Sequence, residues 1–246
     1  MNRAYAQRIF FDGRVACVIA AAFLFVCGLV VTRLGGPPEF YRSLPGGVAQ
    51  ASPTEIGFGI INLVSTCLVL VLSVRGLAAE FGRGTLGFLA AAAPSRRGLA
   101  FTLWSARALQ FASVLLIAYL PFLFTVPLRS VVGAALWSFI YTYVRFAGVE
   151  LVGLLTGRLW RGIVIVFPGV WMLQITYSIL QRFLHWVSPD PITWAFHEWL
   201  FQPVLMLADR NIGTAFAVSA CWIAACLVLS ACCGEWLEHV DIRVRA

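Results

Sequence analysis

The sequence predicts an all-α polytopic membrane protein, with six transmembrane helices in a single domain of residues 1–246. Hydrophobic residues make up 61% of the chain and charged residues 12%, whereas an average soluble domain has about 45–50% apolar and about 25% charged residues. Six separate stretches are long and apolar enough to cross a bilayer, which takes about 20 residues each. Intrinsic disorder and a disulfide-rich secreted scaffold are excluded, because charge is scarce and the 7 cysteines are too sparse.

The six predicted spans are separated by segments that carry charge or turn residues. Their bounds are 15–32, 56–74, 108–128, 131–151, 162–180 and 212–233. The first span is longer than the apolar core of a cleavable signal peptide, which has about 7–15 residues. It is therefore predicted to remain in the membrane.

The basic residues, which are all arginines, are distributed unevenly between the two sides of the predicted spans. Loops rich in arginine stay in the cytoplasm, so both termini are predicted to be cytoplasmic. The cytoplasmic segments then hold Arg3, Arg8, Arg14, Arg75, Arg83, Arg96, Arg97, Arg107, Arg158, Arg161, Arg243 and Arg245, and the outer loops hold Arg33, Arg42, Arg129, Arg182 and Arg210. Because these residues fall between apolar runs and not on one solvated face, nucleic acid is not an expected partner.

Two further segments are predicted to lie at the membrane surface without crossing it. Residues 1–14 mix arginines with aromatic and aliphatic side chains, which fits equally well an amphipathic interfacial helix or an ordinary basic flank. Residues 181–211 are too apolar for a free outer loop, and Pro189, Pro191 and Pro203 prevent a span. They are predicted to form re-entrant or interfacial helices that carry an aromatic belt.

No catalytic or metal-binding motif occurs in the sequence. A phosphate-binding G-x-x-x-x-G-K-[ST] loop needs a lysine, and the chain has none. His197 and Glu198 are not followed by the second histidine of an H-E-x-x-H zinc motif. The cysteines lie in the predicted spans, where packing between helices is their expected role. We therefore predict no catalytic residue, no cofactor-binding residue and no metal ligand.

Arg145 and Glu150 are candidates for polar contacts inside the membrane, because both belong to the fourth predicted span. An intramembrane charge is costly and usually functional. Arg145, however, lies about two-thirds of the way to the cytoplasmic face, from where its long side chain can reach the headgroups. We favour such snorkelling, or a contact between helices, over a role in substrate binding. Glu150 is expected at the inner interface, about 140° around the helix from Arg145.

Residues 75–107 form the longest predicted cytoplasmic segment. Glycine tolerates unusual backbone angles and threonine accepts from free N–H groups, so Gly84 and Thr85 suit the end of one helix and the start of the next. Pro94 is predicted to stop a short apolar helix, and Ser95 to cap the helix that leads into the third span. The expected product is a rigid helical elbow that carries arginines at the membrane surface.

This arrangement resembles the membrane subunits of ATP-binding-cassette transporters of the type-2 permease family. The first cytoplasmic loop of that family reads E-x-x-R-G-T-L, then a short helix, then P-x-S-R. The matching residues here are Glu80, Arg83, Gly84, Thr85, Leu86, Leu89, Pro94, Ser95 and Arg96. The chain departs from the pattern at Gly82 and Gly87, where the family often has an acid, and Ser95 follows the proline directly. Arg107 stands in for a basic residue common at the start of the third span.

The resemblance implies a non-catalytic permease subunit of an exporter in a bacterial inner membrane. Residues 80–97 would transmit motion from cytoplasmic ATPase subunits, which would bind the ATP and magnesium, so this chain would hold no cofactor. The other partners would be a second permease chain, identical or related, and membrane lipid. The aromatic outer segment favours an amphipathic substrate such as a drug, antibiotic, peptide, lipid or glycan.

Three alternatives remain open at this point. Residues 75–107 also fit a basic loop that docks on anionic lipid. An ion-coupled secondary transporter is the main alternative function, although the spans show neither an inverted repeat nor an acid at mid-depth. A membrane-embedded enzyme would need converging polar residues, and beyond Arg145 and Glu150 the spans contain mainly isolated ones such as Asn62 and Gln174.

Overall fold

The computed structural model describes residues 13–34, 53–87, 95–169 and 212–239, without the side chains of 53–56 and 212–219. Several predictions fall on other residues. The N-terminal segment up to residue 12, the outer segment 181–211, Leu89 and Pro94 all lie outside the described ranges.

Over these ranges the chain forms helices and turns and contains no strand. The elements are α1 (Arg14–Leu34), α2 (Pro53–Ser73), α3 (Leu77–Gly82), α4 (Arg96–Tyr119), a 3₁₀ helix (Leu120–Phe124), α5 (Leu128–Thr156), α6 (Leu159–Gly169) and α7 (Ile212–His239). Five of them, α1, α2, α4, α5 and α7, are long and apolar enough to cross a membrane. This confirms the all-helical membrane class. The fifth predicted span, 162–180, is described only as far as Gly169, within α6.

The helix that contains most of the third predicted span, 108–128, begins well before that span. The helix starts at Arg96, three turns earlier, because the Ser95 side chain caps it and nothing before Tyr119 breaks it. It ends at Tyr119, where Pro121 lies in the first turn of the 3₁₀ helix that follows. Hydropathy misses the first turns because they carry arginines, although helix formation continues through them. Residues 96–107 of the predicted cytoplasmic segment are therefore helical and continuous with the third predicted span, as the expected Ser95 cap implies.

The helix α4 lies at the centre of the described bundle and packs against α1, α5 and α7. Its buried side chains include Leu103, Trp104 and Phe111. The rings of Trp104 and Phe111 meet the Phe146 ring of α5 edge-on, at centroid distances of 6.1 and 5.7 Å. These contacts hold α4 and α5 together, and both helices border the candidate site described below.

One end of the bundle, which we call the α3 end, gathers the end of α2, all of α3, the start of α4 and the ends of α5 and α7. Close approaches place these elements together. A Cβ atom on Gly153 of α5 would lie 2.7 Å from the Ala78 side chain of α3, and one on Gly234 of α7 would lie 3.6 Å from the Arg97 backbone of α4. The opposite end is marked by Gly28 of α1, where a Cβ atom would lie 3.0 Å from the Pro121 ring.

At the α3 end, α5 turns sharply into α6. Gly157 takes a left-handed conformation with φ of 68°, and the N–H of Arg158 donates to the Gly153 carbonyl at 3.0 Å. This is the Schellman termination, which favours glycine. Gly162 of α6 then packs directly on the Val149 carbonyl of α5. The hairpin depends on glycine at this crossing, as close helix packing in membranes commonly does.

Substituting Gly162 with alanine is expected to destabilise the fold by about 1–3 kcal/mol, because the new methyl group has no space beside the Val149 carbonyl. The midpoint of thermal unfolding in detergent should fall. Gly169→Ala is the matched control, since a Cβ atom there meets no described atom within 4 Å, and its midpoint should stay the same or rise slightly. Equal midpoints for the two variants would show that the crossing is not tight.

Candidate functional site: the elbow at the α3 end

Of the predicted elbow, residues 80–97, the structure describes 80–87 and 95–97, and most of the short apolar helix predicted before Pro94 lies outside the described residues. We use the name elbow for α3, the turn at 83–85 and the start of α4 at 95–97. α3 follows α2 after a turn of only three residues, 74–76. Its first residues, Leu77, Ala78 and Ala79, are buried in the bundle, whereas Gly82 and Arg83 are exposed. α3 therefore has one end within the bundle and the other at its surface.

Glu150 of α5 caps the buried end of α3. The residue before α3, Gly76, has no side chain that could accept from the free N–H groups. The Ala78 N–H instead donates to Glu150 Oε2 at 3.0 Å, and the Leu77 N–H also faces this carboxylate. A carboxylate is the preferred partner for these N–H groups and for the positive end of the helix dipole. Glu150 is 0% exposed, and its carboxylate faces neighbouring helices of the bundle. Its expected place at the inner interface stays a prediction.

Arg107 of α4 lies within electrostatic range of the Glu150 carboxylate. It is fully buried, and donates to Gln110 Oε1 at 2.7 Å and to the Arg75 carbonyl at 3.4 Å. Arg107 therefore lies three turns into the third spanning helix, beneath the elbow. It connects α4, the α2–α3 turn and the buried acid.

Glycine is required where the elbow meets α5. A Cβ atom on Gly76 would collide with the Glu150 carboxylate, and one on Gly153 would lie 2.7 Å from the Ala78 side chain. The elbow backbone therefore lies directly on α5, with little side-chain material between them.

The exposed end of α3 brings the predicted E-x-x-R-G-T residues together. Gly84 has a φ of 77°, and the Thr85 N–H donates to the Glu80 carbonyl at 3.0 Å, which is a Schellman termination. The Arg83 guanidinium donates to Glu80 Oε1 at 3.2 Å and to the Val74 carbonyl at 3.3 Å. The Thr85 hydroxyl also bonds to the Glu80 carboxylate. Glu80, Arg83 and Thr85 thus form one network.

The start of α4 is bound to the end of α7. Ser95 Oγ accepts from the Gly98 N–H at 3.0 Å, as predicted for a cap. The Arg97 guanidinium forms a 2.7 Å ion pair with Glu235, and the Arg97 backbone N–H donates to the Glu238 carboxylate at 3.1 Å. Arg96 donates to the Leu237 carbonyl at 3.2 Å.

The α7 acids were not found by sequence reasoning, because they lie about 140 positions away from Arg97. The sequence feature that could have indicated them is a pair of acids in the last turns of the otherwise uncharged helix α7. The α7 end also reaches α3, where the Phe81 and Trp236 rings meet edge-on at 5.6 Å. α7 thus links the two arms of the elbow.

Arg145 belongs to a different cluster, inside the bundle. It is 6% exposed and donates to Thr66 Oγ1 of α2 at 2.6 Å and to the Tyr141 hydroxyl. Of the two roles favoured from the sequence, the structure shows the contact between helices. In the described ranges, no group of three metal-ligating side chains comes together.

Comparison with protein-family models, curated proteins and solved structures finds no match to this chain.

Glu150→Ala is expected to free the start of α3 while leaving the start of α4 unchanged. Hydrogen–deuterium exchange over residues 77–80 should accelerate about tenfold or more, because two N–H groups lose a charged acceptor. Ser95→Ala should give the reciprocal pattern, with faster exchange only over residues 97–100. Identical exchange in both variants would contradict the assignment of Glu150 as the cap.

Proposed function

We propose that this chain is the transmembrane permease subunit of an ATP-binding-cassette exporter, and that the elbow receives a separate ATPase subunit. The chain itself is non-catalytic, and the partner binds ATP and magnesium. A second permease chain completes the pathway for an amphipathic substrate in a bacterial inner membrane, with both termini in the cytoplasm. The observation on which this proposal depends is the hydrogen bond between the Glu150 carboxylate and the Ala78 N–H at the start of α3, which we call the clamp. It joins a surface element directly to a spanning helix.

The clamp supports a mechanical role for the elbow. A displacement of α3 reaches α5 through the Ala78 hydrogen bond to Glu150 and through the close contact with Gly153. It reaches α2 through a three-residue turn, and α7 through the contact between Phe81 and Trp236. Packed interiors transmit such shifts because they are dense and have few voids. A surface loop needed only for lipid docking would not require a buried acid or two glycine contacts.

The charge distribution supports a cytoplasmic location for the α3 end. Described arginines at this end are Arg14, Arg75, Arg83, Arg96, Arg97, Arg107, Arg158 and Arg161, and those at the opposite end are Arg33 and Arg129. The arginine-rich side of a membrane protein is normally cytoplasmic. This is the compartment in which a soluble ATPase has access to ATP.

The exposed arginines of the elbow determine which kind of partner surface would bind there. The side chains of Arg83 and Arg97 are 54% and 59% exposed, although each pairs with a glutamate. Exposed ion pairs contribute about 0–1 kcal/mol to folding, so stability alone gives little reason for them. An acidic or polar surface on the ATPase would complement these exposed arginines.

The proposal predicts that a tagged chain, solubilised from the membranes of its own host, captures a protein whose sequence contains G-x-x-x-x-G-K-[ST]. The captured complex should hydrolyse ATP, and the chain purified alone should not. Arg83→Glu should reduce capture at least about tenfold, because it places like charge against the partner. Arg33→Glu, an equal charge reversal at an exposed site on the opposite end, should leave capture unchanged.

Capture of the ATPase at full yield by the Arg83→Glu chain would contradict docking at the elbow. ATP hydrolysis by the purified chain alone would contradict the proposal that a separate subunit hydrolyses the ATP. Transport that follows a proton gradient and ignores ATP would favour the secondary transporter instead.

A further inference from the structure

The Arg145 guanidinium is buried between three helices. Thr66 of α2 and Tyr141 of α5 accept hydrogen bonds from its two terminal nitrogens. Its central carbon lies 3.8 Å from the centre of the Tyr141 ring and 5.5 Å from that of Phe167 in α6. Its Nε atom has no hydrogen-bond partner among the described residues.

The described side chains supply no carboxylate to this guanidinium. The acids among them are Glu80, Glu150, Glu235 and Glu238, and all four contact partners at the α3 end. Arginine stays protonated in proteins, so Arg145 carries a full positive charge. Hydroxyl groups and ring faces satisfy part of its hydrogen-bonding capacity, but they do not neutralise that charge.

A buried charge inside a bilayer is costly, and such residues normally pair with an opposite charge or line a substrate pathway. Arginine is also the side chain best suited to carboxylates and phosphates, because its planar N–H groups match two oxygens at once. Among the described residues, the unpartnered Nε–H and the lack of a carboxylate beside Arg145 therefore point to the same kind of ligand. The neighbouring Tyr141 and Phe167 rings supply an apolar surface beside that ligand.

We propose that Arg145 binds the carboxylate or phosphate group of an amphipathic anion between α2, α5 and α6. The assignment of this site to the cargo rests on the proposed function of the chain as an exporter subunit. It narrows the exporter's substrate class to anionic amphiphiles. Phe167 is partly exposed and belongs to the short helix α6, so the ligand enters when this ring moves aside. Asn62, Ser138 and Tyr119 form a hydrogen-bonded chain two turns along α5, with links of 2.9 and 2.8 Å, which can receive further polar groups of the ligand.

The test measures binding of laurate to the purified full-length chain in phosphatidylcholine nanodiscs, by equilibrium dialysis. Methyl laurate, which has the same chain without the charge, should bind at least about tenfold more weakly. Arg145→Gln should weaken laurate binding roughly 10- to 100-fold. Arg145→Lys keeps the charge but loses the planar fork, and should be intermediate. Arg33→Gln removes an exposed arginine at the end of α1 and should bind like the wild type.

Equal binding of laurate and methyl laurate by the wild-type chain would overturn the proposal, even if the Arg145→Gln chain does not fold. Unchanged laurate binding by a folded Arg145→Gln chain would overturn it as well. Repeating the measurement in phosphatidylglycerol nanodiscs separates the two sources of the anion. Laurate binding that persists in phosphatidylglycerol supports a cargo site. Laurate binding that phosphatidylglycerol abolishes overturns the cargo assignment and indicates a site for a lipid headgroup. Because no ATPase is present, failure here leaves the capture experiment unaffected.

Discussion

The carboxylate of Glu150 is buried beneath a helix that carries no cap of its own, and the arrangement of the elbow depends on this contact. Removing a carboxylate from water is expensive unless hydrogen bonds and a nearby opposite charge compensate. The free N–H groups at the start of α3 and the buried Arg107 provide both. The same contact supplies α3 with the acceptor that Gly76 lacks. One interaction thus gives a buried acid a hydrogen-bond donor and fixes a short surface helix to a spanning helix.

Local sequence signals predicted the local structure well. Apolar runs indicated the spans, Ser95 indicated the start of a helix, and Gly84 indicated the end of one, because each of these effects acts within a few residues. The role of Glu150 could not be derived in this way, since its partner lies 72 positions away. Its environment depends on how α3 folds back onto α5, which hydropathy does not record. Ser95 indicated the start of α4 correctly, whereas the apolar run within it began only at residue 108, because a hydropathy average counts the arginines of the first turns against a span.

The two polar sites of α5 face different neighbours. Glu150 faces α3, and Arg145, five residues earlier, faces α2 and α6. Along the helix axis they are only about 7.5 Å apart. In the proposed exporter, a rigid α5 would therefore carry a shift of the elbow to the ligand-binding arginine without intervening flexible segments. The glycine contacts at Gly153 and Gly162 keep both neighbouring helices close to this stretch of α5.

The central claim is that the outer face of α3 is a docking surface for an ATPase. The most direct test places a photoreactive amino acid at Gly82, which is exposed at the end of α3. Among the described residues, a Cβ atom there would have only the Gly157 carbonyl within 4 Å, at 3.6 Å. Illumination of native membranes should join this position to a protein that carries a phosphate-binding loop. The same probe at Gly59, which is exposed on α2 with no described atom within 4 Å of a Cβ atom, should join only phospholipid. Phospholipid adducts alone at both positions would contradict the account.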